Sequence, residues 1–167
     1  TGEDVNGLPP TSFIIESDFS AGVDSWSAQE GAVAAPITIA AIDNALRFTC
    51  STASAEHFIL NTSAMVVGTS VLITFDYYIP SGQSNIDGVR LFDGAGSAYQ
   101  GTLTTTDAWT SISTTETVTS TAGIRFYAYD GGSISFADAG GDDVFYVKNV
   151  TVKRLGNTLD LGPEGMY

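Results

Sequence analysis

Residues 123–130, Gly-Ile-Arg-Phe-Tyr-Ala-Tyr-Asp, restrict the possible fold of this chain more than any other stretch because their side chains alternate. In an extended strand, successive side chains point to opposite faces. One face of this stretch is apolar and carries Ile124, Phe126 and Ala128. The other face carries a guanidinium and two phenols, those of Arg125, Tyr127 and Tyr129. The pattern predicts a β-strand with its apolar face on a core.

The two tyrosines on the polar face have two interpretations. Exposed phenols stack well on a flat, amphipathic ligand, which favours a binding surface. A second sheet or a loop over the same face would instead make Tyr127 and Tyr129 ordinary packing residues. The sequence alone leaves both interpretations open.

Similar alternation runs through the rest of the chain and predicts an all-β fold. We count nine or ten short strands, and no stretch sustains the apolar spacing of an amphipathic helix. This number of strands favours a two-sheet antiparallel β-sandwich with jelly-roll topology. Residues 12–155 form the predicted domain, with a lead-in or linker at 1–11 and a C-terminal linker to a following domain at 156–167.

The last predicted strand, residues 145–155, contains a break in its alternation. Phe145 and Val147 fall on one face, whereas Val150 and Val152 fall on the other. If both pairs contact the core, a β-bulge at Lys148-Asn149 must reset the pleat.

Charge and motif content exclude several classes of function. The 167 residues include 19 acidic and six basic side chains, and the net charge of −13 would repel nucleic-acid phosphates and anionic membranes. No apolar run is long enough to insert into a membrane. There is no Gly-x-Ser-x-Gly motif, no paired-histidine metal signature and no glycine-rich phosphate loop. We therefore predict that the chain is not an enzyme.

Several short motifs, in this order, resemble the carbohydrate-binding modules of the family 4/9 type. They are Phe-Ile-Ile at 13–15, Asp-Phe-Ser-Ala-Gly at 18–22, Trp26, Ala-Leu-Arg-Phe at 45–48, the strand at 70–78, Ala-Trp-Thr-Ser-Ile at 108–112 and Phe-Tyr-Val-Lys-Asn-Val at 145–150. The resemblance covers residues 12–155. It implies a jelly roll without catalysis that binds a polysaccharide or cell-surface glycan, and it places the chain outside the cell.

The resemblance also implies a structural calcium where the first turn meets the closing strand. In this chain the matching positions include Asp18 and Asn149. The chain departs from the family pattern at Ser20, where a glutamate is expected, and at Lys148, where an aspartate is expected. Calcium prefers several oxygen ligands, usually with carboxylates among them.

The segment at 153–165 is similar to connectors that follow such modules in bacteriophage tail and other virion surface proteins. This similarity implies a module that meets a host glycan at the virion surface. It also supports an alternative, a virion structural or adhesion domain that contacts other subunits and has no sugar site.

We predict the glycan-binding residues from the outward faces of three strands. The set is Asp76, Tyr78, Arg90, Phe92, Arg125, Tyr127 and Tyr129. The aromatic rings would stack on sugar rings, the carboxylate would accept hydroxyl protons, and the guanidinium groups would donate or clamp the carboxylate of an acidic sugar. Salt bridges to neighbouring aspartates are the alternative explanation for the two arginines.

Overall fold

The computed structural model describes residues 13–30, 37–50, 57–131 and 143–155, and the regular structure found there is entirely β-strand. The strands are β1 (Phe13–Ser17), β2 (Trp26–Glu30), β3 (Ile37–Ile42), β4 (Ala45–Cys50), β5 (His57–Asn61), β6 (Ser70–Tyr78), β7 (Gly88–Asp93), β8 (Thr110–Thr117), β9 (Ile124–Tyr129) and β10 (Asp143–Arg154). Among these residues there is no helix long and apolar enough to cross a bilayer. The predicted linkers at 1–11 and 156–167 lie outside the described residues.

The strands form two antiparallel sheets packed as a β-sandwich. The six-stranded sheet has the order β3-β4-β10-β6-β8, with β1 also paired to β10, and the four-stranded sheet has the order β2-β5-β9-β7. Both β4 and β1 pair with the same edge of β10. The first half of β10 pairs with β4, as Leu46–Val147 shows, and its second half pairs with β1, as Ser17–Val150 shows. The predicted two-sheet jelly roll is confirmed.

The core lies between the sheets and uses the apolar faces that the alternation predicts. In β9, Ile124, Phe126 and Ala128 are fully buried. The Phe126 ring contacts Phe75 of the opposite sheet, with 4.8 Å between ring centroids, and Trp26 at 5.5 Å. Burying a side chain of this size contributes about 1.5–3 kcal/mol, and the contact between Phe126 and Phe75 joins the two sheets.

The predicted β-bulge in β10 is present. Lys148 pairs with Asp76 of β6, and the next regular pair joins Thr151 to Thr74. Asn149 takes a positive φ of 51°, which lets the chain add one residue on this strand. Valines 147, 150 and 152 are all fully buried, so the bulge keeps both halves of β10 in contact with the core.

Candidate functional site

The seven predicted ligand-binding residues do not form one surface. Five of them, Arg90, Phe92, Arg125, Tyr127 and Tyr129, lie on β7 and β9 of the four-stranded sheet. Asp76 and Tyr78 lie on β6 of the six-stranded sheet. The outer faces of the two sheets of a sandwich point in opposite directions. The expectation of one platform is therefore corrected to two separate groups.

The aromatic rings of the β7–β9 group are buried in the free protein. Tyr127 is 3% exposed, and Tyr129 and Phe92 are also buried. Phe92 and Tyr127 pack against each other with ring centroids 4.6 Å apart, next to the half-buried Leu60. These rings offer little surface for stacking on a ligand, in agreement with the packing interpretation of the two tyrosines.

The two arginines of the same group bind neutral oxygen atoms of the protein. Arg90 donates from Nε to the carbonyl of Gln100 at 3.0 Å and from Nη1 to the Tyr129 hydroxyl at 3.0 Å. Arg125 donates to the Tyr127 hydroxyl at 3.1 Å and to the carbonyl of Gly94. Two nitrogen atoms of each guanidinium are thus already engaged within the protein. A role of this group in ligand binding stays a prediction.

An open groove lies on the outer face of the six-stranded sheet, with a volume of about 470 Å³. It is lined by Ile42, Asp43, Ala45, Tyr78, Pro80, Trp109, Tyr146 and Lys148. Trp109 is 44% exposed, and Ile42 is also exposed. Exposed apolar surface of this kind in a concave site is typical of ligand or partner binding.

Three elements place these groove residues. Tyr78 of β6 and Tyr146 of β10 are direct cross-strand partners, so their rings lie side by side. Trp109 immediately precedes β8, which pairs with β6 on the other side. The β3–β4 hairpin closes with a two-residue turn in which Asp43 and Asn44 both have positive φ, as a type I′ turn requires.

The aromatic side chains of the groove contact one another. The Tyr78 ring centroid lies 5.6 Å from that of Trp109 and 6.0 Å from that of Tyr146. The Lys148 ammonium lies 4.0 Å from the centroid of the Trp109 ring, within cation–π range. The groove therefore combines stacking surfaces with a cation, and Asp43 adds a hydrogen-bond acceptor.

Part of the acceptor capacity that the sequence predicts for Asp76 is used within the protein. One carboxylate oxygen accepts from the Ser111 hydroxyl at 2.5 Å, and the other accepts from the side-chain amide of Asn149 at 2.7 Å. The carboxylate thus links β6 to β8 and to the bulge of β10. A role of Asp76 in ligand binding stays a prediction.

Trp109, Tyr146 and Lys148 were missed as site residues by the sequence analysis. Tyr146 and Lys148 have the outward parity of β10, but that parity does not show that the surface is open. Trp109 lies just before β8 and shares the parity of exposed Ser111, but that parity does not show that its ring belongs to a groove. Only its position beside Tyr78 in the assembled sheet identifies it as part of a site.

The two residues proposed for calcium line a second cavity, of about 390 Å³, on the other side of the bulge. Its lining residues are Glu16, Ser17, Asp18, Asp24, Asn149 and Thr151. Asp18 accepts from both the backbone and the hydroxyl of Ser20, and these bonds lower the pKa of its carboxyl. Within the described ranges, no three acidic, histidine or cysteine side chains converge as metal ligands. The oxygen-rich lining fits calcium only in part.

The calcium prediction can be tested by thermal unfolding. A bound ion that is absent from the unfolded state raises the melting temperature by mass action. With about 5 mM calcium the midpoint should exceed that in chelator, and Asp18→Asn should remove the difference. Equal midpoints in calcium and in chelator would remove the proposed ion.

Comparison with known proteins identifies the fold. At the sequence level, neither a protein-family profile nor a curated protein matches the chain. Among solved structures, it is similar to the CBM22-1 xylan-binding domain from Paenibacillus barcinonensis Xyn10C, with a TM-score of 0.54, 14% identity, and coverage of 93% of this chain and 99% of that chain.

Two further solved structures are similar over most of their length. A CBM4 structure matches with a TM-score of 0.53 and 16% identity, covering 86% of this chain and 94% of that one. The CBM1 of BiXyn10A, solved without ligand, matches with a TM-score of 0.56 and 13% identity, covering 84% of this chain and 97% of that one. The chain thus has the β-sandwich jelly-roll fold of known carbohydrate-binding modules.

Proposed function

We propose that this chain is a non-catalytic carbohydrate-binding module whose site is the groove between Tyr78, Trp109 and Tyr146. The observation that carries the proposal is the 44% exposed Trp109 ring, set beside two tyrosines in an open groove. A fold shared with carbohydrate-binding modules supports the same assignment.

The chemistry of the groove suits a saccharide. The C–H face of a pyranose ring is apolar and stacks on an aromatic face, and aromatic contacts contribute about 0.5–1.5 kcal/mol beyond the area that they bury. Asp43, in the turn of the β3–β4 hairpin, can accept hydrogen bonds from sugar hydroxyls. Tyr78 is the only member of the sequence-predicted set among the described residues that line this groove.

Finer aspects of the assignment rest on the sequence motifs. The ordered motifs at 13–150 support membership in the family 4/9 type of module. The connector-like segment at 153–165 supports a place in a larger surface or virion protein, with a polysaccharide or cell-surface glycan as partner. An extracellular or virion-surface location follows from the same reasoning.

A glycan array followed by calorimetry tests the function. We expect wild-type protein to bind at least one glycan and Trp109→Ala to weaken that binding about tenfold or more. Phe13→Ala is the matched control, because Phe13 is also an exposed aromatic residue with a lysine above its ring, but it lies outside the groove.

Three outcomes would contradict the proposal in distinguishable ways. A wild-type protein that binds no glycan would remove the function. Equal losses in Trp109→Ala and Phe13→Ala would remove the groove as the site. Loss of binding in Tyr127→Phe, with Trp109→Ala unaffected, would place the ligand on the β7–β9 group instead.

A protein partner is the second candidate, because Ile42 and Trp109 are exposed apolar side chains that both line the groove. In this case the domain is a virion structural or adhesion domain. Size-exclusion chromatography should then show self-association that Trp109→Ala abolishes, with no glycan bound by the wild type.

A further inference from the structure

The side chain of Lys148 brings a positive charge into the groove of a strongly acidic protein. Its ammonium lies over the Trp109 ring, and no carboxylate of the described residues forms an ion pair with it. The whole chain has only six basic residues against 19 acidic ones. A lysine in a binding groove that has no ion-pair partner among the described residues is arranged to receive an anion.

The nearest acidic neighbour by strand register is held by hydrogen bonds to other residues. Asp76 pairs with Lys148 across β6 and β10, but both of its carboxylate oxygens accept hydrogen bonds, from Ser111 and Asn149. The same bond to Asn149 holds the bulge that follows Lys148. Asp76 therefore fixes the backbone around the lysine while leaving its ammonium directed at the groove.

We infer that the groove binds an acidic glycan whose carboxylate or sulfate group contacts Lys148 while a sugar ring stacks on the neighbouring aromatic side chains. This inference rests on the proposed glycan-binding function and adds the charge class of the ligand. Asp43, which lines the same groove, repels an anion. The acidic substituent consequently lies at Lys148, and neutral hydroxyl groups lie at Asp43.

The net charge of −13 does not prevent this contact. At an ionic strength near 0.15 M the Debye length is about 8 Å, so repulsion from distant carboxylates is largely screened. A direct hydrogen bond between ammonium and anion is shorter than this length and is charge-assisted. At low salt, the net charge should slow the association of an acidic polymer.

The test compares neutral and acidic glycans that share one backbone, in carboxylated and sulfated forms, by calorimetry at about 0.15 M salt. Wild-type protein should bind the acidic member about tenfold more tightly. Lys148→Gln should bring the ratio of acidic to neutral affinity close to one, and Lys148→Arg should keep it high. Whichever of the carboxylated and sulfated glycans binds more tightly identifies the anion that Lys148 prefers.

Lys153→Gln is the matched control, because Lys153 also lies over an aromatic ring, that of Phe13, outside the groove. It should leave the affinity ratio unchanged. A neutral member that binds as tightly as its acidic partners, or a preference that survives in Lys148→Gln, would overturn the inference while leaving the glycan-binding function in place. Absence of any glycan binding would instead overturn the function itself.

Discussion

Replacement of Gly123 by alanine should lower the free energy of unfolding by about 4 kcal/mol. Gly123 directly precedes β9 and has a φ of 88°. Residues that carry a Cβ rarely adopt this backbone conformation. An added Cβ would overlap the backbone carbonyl of Asn61 at the end of β5. Gly123 cannot simply move away from Asn61, because the next residue, Ile124, pairs with Asn61 in the β5–β9 ladder.

Gly82→Ala separates the destabilisation caused by a Cβ clash from the destabilisation caused by a positive φ alone. Gly82 also has a positive φ, of 74°, but an added Cβ there would meet no atom within 4 Å. This variant should cost only about 1 kcal/mol. In thermal unfolding, Gly123→Ala should lower the midpoint by about 10 °C, several times the shift in Gly82→Ala. Equal shifts would mean that the approach of Asn61 to Gly123 imposes no constraint.

Asp93→Asn should lower the free energy of unfolding by about 3 kcal/mol. The Asp93 carboxylate ends β7, is 1% exposed, and accepts three hydrogen bonds. The donors are the amides of Ala95 and Ser97, at 2.9 and 2.7 Å, and the Thr119 hydroxyl, at 2.6 Å. The substitution exchanges three charge-assisted bonds for weaker neutral ones at a buried position.

The same carboxylate makes the wild-type protein sensitive to acid. Burial opposes ionisation of Asp93, but the bonds from Thr119, Ser97 and Ala95 outweigh it and hold the pKa below its ordinary value. The unfolded chain then binds the proton at a higher pH than the folded chain does. The stabilisation from Asp93 is complete above the ordinary aspartate pKa of about 4, and it is lost as the pH falls through the pKa of Asp93 in the folded protein.

Unfolding in denaturant at several pH values checks both parts of this prediction. Asp93→Asn should remove a share of the acid-induced loss of stability. Asp107→Asn is the control, since the pKa of Asp107 is also lowered, by hydrogen bonds from Ser81, but its side chain is exposed. Similar acid profiles for the wild type and Asp93→Asn would show that the buried carboxylate does not control the acid response.

The sequence predicted which side of a strand contacts the core, because that property depends on neighbours two residues apart. The alternation in residues 123–130 correctly placed Ile124, Phe126 and Ala128 in the interior. The parity change between Val147 and Val150 correctly required a bulge at Lys148-Asn149. Both predictions use only local backbone geometry, which a single strand already contains.

The composition of each outer face could not be predicted in the same way. Tyr78 and Tyr127 have similar local patterns, yet β6 and β9 belong to different sheets, and their outward side chains point away from each other. Which strands become neighbours depends on pairing between distant parts of the chain. Parity also cannot show whether an outward ring is covered, as Tyr127 is, or open, as Trp109 is.

The sequence by itself thus determined an acidic all-β domain, the apolar faces of its strands and the break in its closing strand. Only the tertiary structure brought Tyr78, Trp109, Tyr146 and Lys148 together in one groove. The physical reason is that each backbone segment alone sets its side-chain alternation. A binding surface depends instead on which segments pair and on whether other parts of the chain cover their outer faces.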